Sequence, residues 1–275
     1  MWACKFRLCY RVFKNYSKQV RFYFLFNFNL SIVKQNHLLA VKQQNKYMLK
    51  FSFSDIQNME RISRLTLINA ITGFKSGNLI GTVNTIVDSD FLGETEKRIT
   101  NLAIFSSAVH IGSDPPLIGI VTRPVTPDGK TSRHTYENII NTGFFTINHV
   151  NLDIIERAHQ ASASYEDGIS EFDAVGLTPQ YLDSGQANLG LKNVPYVLES
   201  NIKMGLEFVE EIHIKSNNTI MLIGKVVELY LPENCLDEKG NLDLNLAQTV
   251  AVSGLDTYHT ATQVSRLPYA RLKRG

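Results

Sequence analysis

Beyond residue 77 the chain is built from short apolar blocks separated by polar, Gly- and Pro-containing turns. Asn78 to Val87 mixes β-branched and polar residues as a strand does, and the polar stretch Asp88 to Lys97, with Gly93 inside it, predicts a closing loop. A second run from Ile99 to Ile111 is followed by Ser113-Asp114-Pro115-Pro116, and a third from Leu117 to Thr122. The period then changes. Tyr136, Ile139 and Ile140 fall on one face of a helix that Thr131 or Ser132 can cap and Gly143 can end. Phe144 to Val150 returns to a strand, and Ile154, Ile155 and Ala158 share a face of a second short helix over Leu152 to Ala161. Gly168 to Asn193 reads as loop. Three more strands are predicted at Tyr196 to Lys203, Leu206 to Ile214 and Thr219 to Leu231, the last two joined by a Lys215–Asn218 turn.

Closely spaced strands with polar turns, and helices too few for repeated strand–helix–strand units, predict a mainly β fold: a barrel with two flanking helices. No internal repeat or low-complexity tract interrupts residues 48–275.

Composition changes this picture at one end. Residues 1–47 hold nine basic side chains, no acidic one, and 11 of the 27 aromatics. The remaining 228 residues carry 19 basic and 26 acidic groups, a net of −7, so the total of +2 does not describe either part. Two domains are therefore expected: a basic aromatic leader, 1–47, and a body, 48–275. The leader is basic and acid-poor like an organelle transit peptide, yet it has only two serines and no small-residue cleavage site. Its Phe, Lys, Asn, Tyr, Ile and Leu are residues of A/T-rich codons, so a start at Met48 and a targeting arm both stand as explanations. An acidic body repels phosphate, which argues against nucleic acid. No stretch reaches the roughly 18–20 apolar residues of a membrane span. Three cysteines without a C-x-x-C pair exclude a disulfide scaffold and point to a reducing, cytoplasmic setting.

The chain has no G-x-G-x-x-G, P-loop, H-E-x-x-H or G-x-S-x-G, and its seven histidines lack metal-ligand spacing, so no metal site is expected. What stands out is a cluster of hydroxyls and positive charge. Ser106 and Ser107 lie on the second run, Arg123 ends the third, and Lys130-Thr131-Ser132-Arg133-His134-Thr135 leads into the first helix. A phosphate needs N–H and O–H donors plus cations, and a helix N-terminus supplies oriented N–H groups. Residues 130–135 suit a phosphate cradle or, equally, an ordinary helix start with a solvated basic first turn.

In order, Asn101-Leu102-Ala103-Ile104-Phe105-Ser106 ("N-x-A-x-F-S"), Ser113 to Pro116, the helix with Asn138-Ile139, Phe145 to Asn148 ("F-x-x-N"), Glu171-Phe172-Asp173 and Gly176-Leu177-Thr178 resemble the flavin reductase-like family of FMN-binding split barrels. The resemblance covers about residues 60–270. It implies a split β-barrel with flanking helices, a homodimer, and one FMN per subunit with its ring near the subunit interface. Ser106 and Ser107 are then placed at the ribityl-phosphate portion or offer backbone N–H groups to the ring, and Arg123, Thr131, Ser132, Arg133 and Thr135 are the phosphate candidates. The insertion Pro124–Gly129 departs from the plainest members and can displace Arg123.

The implied activity is a flavin reductase that passes hydride from NADH or NADPH to flavin N5, with free flavin, oxygen or a partner such as an oxygenase or another electron-acceptor protein downstream. The alternative is an FMN-binding electron carrier without nicotinamide turnover. No acid or base is obligatory for either. His149, after the family's Asn148, is the one weak catalytic candidate, against a structural strand-end histidine. Tyr165 and Glu171 to Asp173 belong to a loop that approaches the flavin in the family, against a surface loop pinned by Phe172. Tyr258-His259 is either an aromatic cover for the ring or plain barrel packing. Isolated Cys235 has no activating pattern.

Overall fold

In the computed structural model the described residues are 51–90, 93–125, 133–166, 168–182 and 190–272, with the backbone alone described over 85–90 and 93–97. The chain divides into two compact units, Met1–Glu60 and Arg61–Gly275. In the first, helix α1 (Phe53–Asn58) starts at Ser52, whose hydroxyl accepts from Asp55 N while the Asp55 carboxylate accepts from Ser52 N, a reciprocal capping box.

The second unit opens with helix α2 (Arg61–Ala70) and strand β1 (Lys75–Ser76). Then come β2 (Asn78–Asp90), β3 (Gly93–Phe105), β4 (Ala108–Ser113), β5 (Pro116–Thr122), helix α3 (His134–Thr142) and β6 (Phe144–His149). A 3-10 turn, Leu152–Ile154, leads into α4 (Ile155–Gln160), followed by α5 (Glu171–Val175), β7 (Pro179–Gln180) and β8 (Tyr196–Val197). Long strands β9 (Lys203–Ile214) and β10 (Thr219–Tyr230), and the short β11 (Val250–Ser253) and β12 (Thr257–Thr260), complete it.

Seven strands form one antiparallel sheet in the order β3-β2-β6-β9-β10-β5-β4. Its two outermost strands are consecutive in the chain. Phe105 pairs with Asn78 and Ala108 with Ile120, so only Ser106 and Ser107 separate the edges. Laid flat, seven strands put their edges about 29 Å apart at ~4.8 Å per strand, whereas three Cα–Cα steps span at most about 11 Å. The sheet is therefore rolled until its edges meet at this corner, while β3 and β4 share no ladder. That is a split barrel rather than a closed one.

Alternation sorts the core into two sides. Ile80, Ile120, Phe145, Ile147, Leu206, Ile220 and Leu222 meet Ile139 of α3 inside the roll. Their neighbours Leu79 and Leu102 face the other way, against Ile154, Ala158, Phe172, Val175 and Val250. Gly143 ends α3 at φ 73° with its N–H on Ile139 O, a left-handed stop that a β-carbon would strain.

Several sequence expectations change. The predicted loop Asp88 to Lys97 is the far half of a β2–β3 hairpin, paired through to Asp90↔Gly93. The run Ile99 to Ile111 is two strands broken at Ser106-Ser107. Tyr196 to Lys203 is not one strand: β8 stops at Val197 and β9 begins at Lys203. The loop 168–193 contains α5, and the C-terminal segment supplies β11 and β12, which with β1 make a second sheet.

Candidate flavin site at the barrel corner

The corner where the edges meet gathers most of the polar candidates. Ser107 is fixed there because its hydroxyl donates to Val121 O (2.9 Å) and accepts from Val121 N (3.2 Å), standing in for a ladder partner on β5. Its side chain is thereby spent on β5. Ser106 is half-buried in the link and makes no side-chain hydrogen bond among the described residues. One residue past β5, exposed Arg123 sends Nη1 to Asn217 O in the β9–β10 turn (2.9 Å), which ties that turn to the same corner. Helix α3 is drawn in by Arg133 N donating to Pro124 O (3.0 Å).

Arg133 is the residue before α3 and gives it no side-chain cap, and Glu137 N is the donor that reaches back to Arg133 O. The first-turn N–H groups of such a helix lack intrahelical partners, and Arg133 is exposed beside them. Oriented N–H groups plus a guanidinium fit a phosphate. Thr131 and Ser132 lie outside the described residues.

Thr135 does not belong to that donor set. It is buried, and its hydroxyl donates to Asn101 Oδ1 at 3.3 Å. Asn101 is the hub of a closed polar network. Its Oδ1 also accepts from Thr82 (3.1 Å), Thr82 accepts from Asn138 Nδ2 (3.1 Å), and Asn101 Nδ2 donates to Glu171 Oε1 at 2.8 Å. Glu171 Oε2 accepts the N–H of Leu102 (3.1 Å), an outward group of edge strand β3. Burial, opposed by these hydrogen bonds, pushes the Glu171 carboxyl above its ordinary range. The ordered sequence motifs thus converge on one structural knot: Asn101 from β3, Asn138 from α3 and Glu171 from α5. Asn148 plays a similar part. It donates to Leu79 O and Thr146 and accepts from Val197 N.

His149 ends β6 with Nδ1 3.2 Å from Thr249 Oγ1. Burial lowers its pKa to about 4, so it is neutral at pH 7 and has no proton to give there as an imidazolium. Tyr258 and His259 serve the second sheet. Tyr258 OH meets His159 Nδ1 (3.0 Å), and His259 Nε2 meets Ser253 Oγ (2.8 Å). Cys235 is buried.

One acid–base group near the corner escaped the sequence pattern. Tyr136, on the first turn of α3, reaches Glu211 of β9 at 3.1 Å, and His213 Nε2 lies 2.7 Å from the other Glu211 oxygen. Burial first, then Glu211, raises the Tyr136 phenol. The i, i+2 spacing of Glu211 and His213 on a strand was its only sequence signal. Among the described residues no group of His, Cys, Asp and Glu is placed to hold a metal.

A rolled antiparallel sheet whose edges meet at one corner, beside the start of a helix, defines a split-barrel protein. Residues 74–249 match the profile described as flavin reductase like domain, and the chain belongs to that family. A provisionally assigned flavin reductase with a split barrel domain from Shewanella frigidimarina is 43% identical, covering 81% of this chain and all of that one, with a TM-score of 0.68. Component B of nitrilotriacetate monooxygenase from Bacillus cereus is 20% identical over 80% of this chain and 98% of its own, TM-score 0.63. An FMN-binding protein from Thermus thermophilus is 16% identical over 72% of this chain and 93% of its own, TM-score 0.52. The last two share the fold.

Proposed function

We propose that this chain binds FMN at the barrel corner and acts as an NAD(P)H-dependent flavin reductase. The observation that carries the reading is the uncapped N-terminus of α3 with Arg133 beside it, set against the Ser106-Ser107 link in a chain of the flavin reductase-like family. When bound, FMN supplies the redox chemistry, taking hydride at N5 from NADH or NADPH. The first-turn N–H groups and Arg133 hold the phosphate, with Thr131 and Ser132 from the adjoining segment. Ser106 and the backbone of Ser107 orient the ring, and Arg123 acts by holding the 215–218 turn against the corner. The Asn101–Glu171 knot keeps α3 and β3 in register, so the donors are fixed before the ligand arrives.

The body 48–275 is proposed as the catalytic domain, following the leader 1–47. Exposed apolar side chains on edge strand β4, Val109 and Ile111, and on β9, Val209 and Ile212, support a homodimer. The likeness to a monooxygenase component supports an oxygenase or another electron acceptor as partner, and the buried free thiol of Cys235 fits a reducing, cytoplasmic setting. Among the described residues no helix is long and apolar enough to cross a membrane. Steady-state oxidation of NADH and NADPH with added FMN tests the reading. Turnover is expected with at least one nucleotide; bound flavin without turnover sinks the reductase and leaves the electron carrier.

A further inference from the structure

At the other end of the barrel a polar cavity of about 300 Å³ opens between the start of β9 and the end of β10. It lies ten residues along β10 from Ile220 at the flavin corner, up to about 30 Å away at ~3.3 Å per residue. Lys203, on its wall, is 9% exposed. Its ammonium donates to Gln180 Oε1 and to Leu198 O (3.1 Å), both neutral acceptors, and among the described residues no carboxylate lies within ion-pair distance of it. Glu199 pulls the ammonium toward its charged form more weakly than burial pushes against it. Glu199 is committed to Thr178 and, at 3.6 Å, to Arg157. A buried cation without a counter-ion is costly, so such an ammonium is stabilised by any negative charge brought beside it.

A second polar group at the same cavity is unpaired. Ser200 lines it, is 4% exposed, and its hydroxyl is buried with no hydrogen-bond partner among the described residues. The turn that holds it uses its backbone, Ser200 N donating to Val197 O, and makes no use of the side chain. Buried polar atoms are seldom left unpaired. Leu182, Leu231, Pro232 and the ring of Tyr230 give the wall an apolar part beside the polar Gln180 and Asn201. The Tyr230 hydroxyl is held by Glu228 at 2.8 Å, which puts a negative charge behind that wall.

We infer that this cavity is a binding site for a small organic monocarboxylate, its head taken by Lys203 and Ser200 and its apolar body by Leu182, Tyr230 and Leu231. One cation balances one negative charge. Glu199 and Glu228 nearby disfavour a dianion such as phosphate, and the apolar wall disfavours a bare inorganic ion.

Benzoate is the probe, titrated by calorimetry into the full chain with and without saturating FMN. Saturable binding is expected in both states. Lys203→Met, which keeps the aliphatic stem, weakens it at least about tenfold, and Ser200→Ala weakens it about threefold while leaving the melting temperature of the unliganded protein unchanged or higher, because that hydroxyl loses no partner. Absence of saturable benzoate binding overturns the inference. So does unchanged affinity in Ser200→Ala, which keeps the test decisive if Lys203→Met does not fold, and so does competition by inorganic phosphate as strong as that by benzoate.

Discussion

Asn101→Asp replaces an amide that donates to Glu171 at 2.8 Å with a carboxyl that has nothing to donate once ionised. Both residues are buried, at 6% and 7% exposure, so water cannot relieve the pair. Two negative charges about 3 Å apart repel by about 5 kcal/mol at an effective dielectric near 20. Keeping a proton on the new carboxyl restores a donor to Glu171. Against an unfolded-state pKa near 3.9 and 1.36 kcal/mol per unit, that costs about 4 kcal/mol at pH 7 and about 1.5 at pH 5. Protonation is the cheaper route. The variant is therefore expected to fall below wild type by about 4 kcal/mol at pH 7, with the gap closing by up to about 2.7 kcal/mol at pH 5, the limit for one proton over two pH units. Urea unfolding followed by far-UV circular dichroism measures this; the single tryptophan is Trp2 in the leader and is a poor reporter of the barrel. Asn101→Ala is the control, with a loss that lacks this steep pH dependence. A gap between Asn101→Asp and wild type that stays constant from pH 7 to 5 refutes the buried Asn101–Glu171 contact.

His149, with a folded pKa of about 4 against 6.5 unfolded, contributes stability that is complete above pH 6.5 and fades as pH falls toward 4. Wild type should lose roughly 2–4 kcal/mol over that window and His149→Gln should lose clearly less, with an imidazole NMR titration near 4 as the direct check. Glu171 acts in the opposite sense. Its raised folded pKa means that its contribution is greatest below pH 4.5 and is lost as pH climbs through that folded value, so Glu171→Gln should remove a decline on the alkaline side. Gly143→Ala meets nothing within 4 Å, so its cost is purely conformational, about 1–2 kcal/mol at φ 73°; a loss well above that, by thermal unfolding, means the site is crowded after all.

The barrel was legible where runs of β-branched and apolar residues end at polar turns, as along Asn78 to Val87 or Thr219 to Tyr230. It was not legible where geometry turns without a change of composition. The apolar run through Ser106 and Ser107 hides the corner that splits the barrel, because both sides of the break remain strand with apolar residues. The polar stretch at 88–97 hides a hairpin held by backbone pairing, which leaves no hydrophobic pattern to read. At the candidate site, the family motifs gather at one corner for an indirect reason. Asn101, Asn138 and Asn148 spend their side-chain polar atoms on β2, β6, α5 and β8, and Thr135 joins Asn101 rather than the helix-start donors. A single sequence does not distinguish a residue that touches a ligand from one that positions the residue that does. Nor does it pair Lys203 with Ser200, since the cavity they share is made by a turn that was read as strand.

The measurement that bears most directly on the central claim is an equilibrium titration of the full chain with FMN, followed by flavin fluorescence and absorbance. The expected result is saturation at one FMN per chain with a perturbed flavin spectrum, and affinity reduced at least about tenfold by Arg133→Ala through loss of a charge-assisted phosphate contact. A protein that leaves the FMN spectrum and fluorescence unchanged at every concentration contradicts the account.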